Sequence, residues 1–123
     1  MARQSIQIIL FLTVAFPLAA SCSPTQSAVQ TQARASKGRE IYTQNCMTCH
    51  GETGDGNGRA APAISGAKPR DFTQGKFKYG IQPEKLFATI TDGVSGTAMP
   101  PWKHLSVEDR WAVIEYIRQF QKK

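Results

Sequence analysis

The residues best equipped for chemistry stand together in Cys46-Met47-Thr48-Cys49-His50. Two thiols in a C-x-x-C spacing can add to the two vinyl groups of a haem, and an imidazole that follows at once can bind the iron from the same side. Such a C-x-x-C-H segment calls for one covalently attached haem c, with Cys46 and Cys49 as thioether anchors and His50 as an axial iron ligand. A thioredoxin-like redox pair uses the same cysteine spacing, but in a βαβ setting that the chain lacks. A zinc site would need a second histidine at a longer interval. The haem reading is favoured over both.

The elements that must position these groups come from a chain of 123 residues, 41% apolar and 20% charged, enough for one compact domain and no large enzyme core. Residues 1–21 read as a signal peptide: Arg3 precedes an apolar run from Ile8 to Ala20 that is too short to span a bilayer and is interrupted by Pro17. Leu18-Ala19-Ala20-Ser21-Cys22 resembles the bacterial lipoprotein cleavage box, which makes Cys22 the expected lipidation site and accounts for an odd third cysteine. Removing the leader takes Arg3 with it and leaves a net charge of +5 from the formal +6. Residues 22–35 are polar, short-chained and without an apolar face, and are expected to form a flexible tether. Residues 36–123 then form the domain.

Three helices are expected in it. The first runs from an N-cap near Ser36 to about Cys46. The second has Pro83 in its first turn and stops at Gly93. The third opens at Ser106, with Asp109 three residues later in a capping-box pattern, and carries Val107, Trp111, Val113, Ile114, Tyr116, Ile117 and Phe120. No alternating apolar strand is found. Between the first two helices lie some thirty residues rich in Gly, Pro and Asn, a loop long enough that something else has to fill the core around it.

The attachment pentapeptide, the Gly96-Thr97-Ala98-Met99-Pro100-Pro101-Trp102 segment and the closing aromatic helix together resemble the class I cytochrome c family over residues 36–123. The resemblance implies an all-α cytochrome c fold, with three main helices and long loops wrapped around one haem, and a methionine as the second axial ligand. Elimination points the same way: Met1 leaves with the leader and Met47 lies between the anchoring cysteines, so Met99 remains. Pro100-Pro101 biases it toward extended backbone. His104 is the rival ligand.

An iron-bound histidine usually donates its other ring N–H to a carbonyl. The family uses a proline carbonyl for this, and Pro62 is the nearest match. Gly38 and Tyr42 correspond to the family's small and aromatic pair on the first helix, facing Val113 and Tyr116. Trp102, Phe72, Phe77 and Tyr79 are candidates to pack on the porphyrin, with Arg70, Lys76 or Lys78 near its propionates.

Lys68, Arg70, Lys76, Lys78, Lys85 and Lys103 outnumber Asp71, Glu84 and Asp92 in the same stretch. A cationic surface of this kind would steer the domain toward redox proteins with acidic docking surfaces; a merely solubilising role is the other reading. The expected function is one-electron transfer with His50/Met99 ligation at the outer, periplasmic face of a bacterial membrane. The protein would act as a lipid-anchored monomeric domain or as a subunit of a larger complex, with no nucleic acid and no small-molecule substrate. The alternative is a haem enzyme or gas sensor in which Met99 is labile.

Overall fold

The structure, a computed structural model, describes residues 25–121. Helices α1 (Gln26–Asn45), α2 (Met47–His50), α3 (Pro83–Asp92) and α4 (Val107–Arg118) are joined by loops that contain two single turns of 3₁₀ helix, Ala61–Ala63 and Phe72–Gln74. No β-strand occurs among the described residues, as the all-α expectation requires. The leader and Cys22 lie outside the described residues. No described helix is long and apolar enough to cross a membrane.

α4 forms where the capping pattern places it. Ser106 Oγ accepts the Asp109 N–H at 3.0 Å, and Glu108 and Asp109 lie at the positive end of the helix dipole while Arg118 lies at the negative end. Ala112, Val113, Ile114 and Ile117 are buried on its inner face. α3 starts on Pro83, buries Leu86 and Ile90 against the same core, and ends at Gly93. The Gly93 φ of +70° lies in the left-handed region that side chains resist.

α1 differs from its expected extent. It begins at Gln26, so most of the segment expected to be a flexible tether is helical. The segment lacks an apolar stripe because almost nothing covers it, yet its Ala, Gln and Arg residues are good helix formers. Once Gly38, Ile41 and Tyr42 are packed, the nucleation cost is met and the helix can propagate backward. An exposed Arg34–Glu115 ion pair at 3.0 Å links this extension to α4.

Gly38 is the crossing point of α1 and α4. A Cβ there would run into the Ala112 carbonyl oxygen and crowd Tyr116 Cβ, which is why a residue that costs about 1 kcal/mol in a helix interior stands here. One turn on, Tyr42 is 1% exposed and sits among Phe72, Tyr116 and Phe120, with the latter two ring centroids 5.3 and 5.2 Å away. Its hydroxyl donates to the Gly51 carbonyl at 2.7 Å, and burial raises its pKa, so it remains a donor.

The long loop is organised by backbone hydrogen bonds. Gly56, Gly58 and Ala60 donate to the carbonyls of His50, Cys49 and Thr48, satisfying the free carbonyls at the end of α2. The chain then returns, and Phe72 N–H donates to the Gly54 carbonyl at 2.7 Å.

Candidate cofactor site

α1, α3, α4 and the loops between them enclose a cavity of about 320 Å³ whose exposed lining is mainly apolar. Cys46, Cys49 and His50 lie on one wall, carried by the end of α1 and by α2. Met99 lies on another, carried by the segment between α3 and α4. Residues separated by 49 positions in sequence therefore face one space.

His50 is 9% exposed, and its ring stacks on Phe72 with centroids 4.5 Å apart. Its Nδ1 lies 3.1 Å from the Arg70 carbonyl oxygen. A carbonyl only accepts, so Nδ1 carries the proton and Nε2 keeps its lone pair. Burial lowers the His50 pKa from its ordinary value, outweighing the bond to Arg70, and so favours the neutral form that a metal requires. Burial, with Cys49 beside it, pushes the Cys46 thiol up to about 12, so it stays protonated.

The carbonyl partner of His50 is thus Arg70 and not Pro62. Pro62 is exposed on the turn Ala61–Ala63 and does not line the cavity. The physical reason lies in the loop path: residues 56–60 are engaged in satisfying the α2 carbonyls, and the chain reaches the imidazole only on its return past Pro69. The proline in Lys68-Pro69-Arg70-Asp71-Phe72 was the available sequence signal.

Trp102, Phe72, Phe77 and Tyr79 all line the cavity, as do Arg70 and Lys78, whereas Lys76 does not. Lys78 Nζ stands 5.0 Å from the centre of the exposed Tyr79 ring. Lys68 joins Arg70 and Lys78 on the lining, and no carboxylate does. Lys103 lies elsewhere and pairs with Asp92 at 3.1 Å. His104 is exposed, 5.3 Å from the Trp102 ring, and is not on the lining.

The donor set matches one kind of occupant. Two thiols, an imidazole and a thioether around mainly apolar walls suit an iron porphyrin, and Arg70 and Lys78 suit its carboxylates, while the Lys68 ammonium donates to the Ala61 carbonyl at 3.2 Å. No group of three or more His, Cys, Asp or Glu that could hold a bare metal ion occurs among the described residues.

Residues 33–117 match the family described as cytochrome c oxidase, cbb3-type, subunit III. The cbb3-type cytochrome c oxidase subunit FixP of Azorhizobium caulinodans is 43% identical over 68 residues, which cover 55% of this chain and 20% of that protein. The chain spans about a fifth of the length of the FixP and CcoP relatives it matches. Cytochrome c55X of Paracoccus denitrificans is 37% identical over 87 residues, covering 69% of this chain and 73% of that protein. Among solved structures, a chain of the Kuenenia stuttgartiensis reducing HAO-like protein complex Kustc0457/Kustc0458 aligns with a TM-score of 0.69 at 31% identity. The alignment covers 98% of this chain and 52% of that one.

Proposed function

Because the chain belongs to the cbb3-type cytochrome c oxidase subunit III family of c-type cytochromes and carries a covalently bound haem c, we propose that it is a one-electron carrier with His50 and Met99 as axial ligands. Haem-based electron transfer is the common ground of its relatives. The observation that carries the finer reading is the single cavity lined by Cys46, Cys49, His50 and Met99.

When bound, the haem supplies an Fe(II)/Fe(III) couple. Each cysteine would contribute its S–H across a vinyl double bond, leaving a thioether at Cys46 and at Cys49. His50 offers Nε2, and the Arg70 carbonyl holds its ring through Nδ1–H. Met99 offers the soft thioether, which raises the potential. Phe72, Phe77 and Trp102 exclude water from the cofactor. With His50 and Met99 both holding the haem iron, the site would leave no open position for a small-molecule substrate and would call for no acid–base residue.

The surroundings extend the proposal. Lys68, Arg70 and Lys78 at the cavity favour a redox protein with an acidic docking surface, either met transiently or held in a larger complex. Residues 1–21 act as an export leader, and lipid on Cys22 holds the mature chain at the periplasmic face of a membrane. The helical residues from Gln26 onward would serve as a stalk, rising about 1.5 Å per residue. The parent should incorporate radioactive palmitate and Cys22→Ser should not; label that persists in the variant would remove Cys22 as the lipid site, and an unlabelled parent would remove the anchor.

The deciding experiment is spectroscopic. The oxidised protein should show a weak long-wavelength sulfur-to-iron absorption, and the reduced protein should bind carbon monoxide poorly. Met99→Ala should keep its haem through acid-acetone extraction, lose the absorption and bind carbon monoxide readily. Ready binding by the parent would favour a gas sensor or haem enzyme with a labile methionine.

A further inference from the structure

The hydrogen bonds of the segment between α3 and α4 converge on Met99. Its carbonyl accepts the Val94 N–H at 3.1 Å, and its own N–H donates to Thr97 Oγ1 at 3.2 Å. Thr97 closes the circuit, because its hydroxyl donates to the Val94 carbonyl at 2.7 Å and its N–H reaches the same oxygen at 3.1 Å. Both backbone polar groups of Met99 are therefore held within the segment. The one side-chain oxygen in the circuit belongs to Thr97, which also lines the cavity. A hydroxyl can donate and accept at once, which no apolar side chain of the same shape can do.

The neck of the segment is closed by other groups. Trp102 N–H donates to the Ile90 carbonyl at 2.9 Å, and the Arg110 guanidinium donates to Thr91 Oγ1 at 2.6 Å. Removing the Thr97 hydroxyl would thus loosen Met99 while the Trp102–Ile90 bond from the segment to α3 and the Arg110–Thr91 bond between α4 and α3 remain.

We infer that Thr97 is a positioning residue, whose hydroxyl orients the Met99 backbone so that the thioether stays on the iron and competes with added ligands. This rests on the Met99 ligation proposed above. The apparent affinity of an added ligand scales with the fraction of molecules in which Met99 has let go. Losing one backbone hydrogen bond changes that fraction by about five- to tenfold.

The test is imidazole titration of the haem-loaded ferric full chain, read with the sulfur-to-iron absorption, for the parent, Met99→Ala, Thr97→Val and Thr97→Ser. Thr97→Val should bind imidazole about five- to tenfold more tightly than the parent and show a weaker absorption. Hydrogen exchange at the Met99 N–H should accelerate in the same variant. Thr97→Ser should behave as the parent. If Thr97→Val does not load haem, Thr97→Ala carries the same expectation. Parent-like imidazole affinity in Thr97→Val, with tight binding in Met99→Ala, overturns the inference alone. Thr97→Ser behaving as Thr97→Val also overturns it, by assigning the effect to packing. Met99→Ala behaving as the parent removes the ligation and this inference together.

Discussion

The two walls that carry the proposed iron ligands are built by different physics. The Cys46–His50 wall continues a helix whose crossing with α4 is set by Gly38 and whose neighbour Tyr42 is sealed in an aromatic cluster. Its α2 carbonyls are satisfied by the loop that follows. The Met99 wall is a partly exposed segment with no regular structure, held by short-range hydrogen bonds and by the bond from the Trp102 N–H to the Ile90 carbonyl of α3. Disturbing the first wall should therefore unfold the domain, whereas disturbing the second should open the iron while the fold persists.

Gly38→Val should have the largest effect. Its side chain meets backbone at Ala112, which cannot rotate away, so the helices must separate at a cost of about 3 kcal/mol or more. Thermal unfolding and the yield of haem-loaded protein measure it. A parent-like melting temperature would contradict the assigned crossing.

Gly93→Ala comes next. Its φ of +70° is strained for alanine, and the new Cβ would stand 2.7 Å from the Met99 carbonyl oxygen, at a cost of about 1–3 kcal/mol. The distinguishing readout is spectroscopic: the sulfur-to-iron absorption should fall by a larger fraction than the melting temperature shifts. Equal loss of both would mean that the two walls are one cooperative unit.

Tyr42→Phe should be the mildest. It removes the hydroxyl that donates to Gly51, whose carbonyl keeps the Gly54 N–H at 3.3 Å, so the cost is that of one hydrogen bond, about 1 kcal/mol. The absorption should be untouched, because Tyr42 supports only the first wall. A weakened absorption would show that strain passes between the walls.

Much of the domain was legible in the sequence because its signals are local. Pro83 and Gly93 bound α3, and Ser106 with Asp109 starts α4, since capping depends on neighbours a turn away. The start of α1 was not legible, because a polar helix with little to pack against carries no periodic pattern. The carbonyl partner of His50 escaped for a related reason: a backbone oxygen leaves no trace in residue type, and proximity to the motif favoured Pro62 over the returning chain at Arg70.

What the sequence by itself determined is the covalent chemistry, since two thiols and an imidazole within five residues define an attachment site wherever the chain goes. It also pointed to Met99 as the candidate thioether, since Met47 lies between the two cysteines. Only the tertiary structure decided that Met99 faces the same cavity as His50, which carbonyl fixes the imidazole, and that Thr97 ties the Met99 backbone down. These are relations between segments far apart in sequence or between backbone atoms. They exist only once loop closure has been offset by burial of the aromatic and aliphatic core.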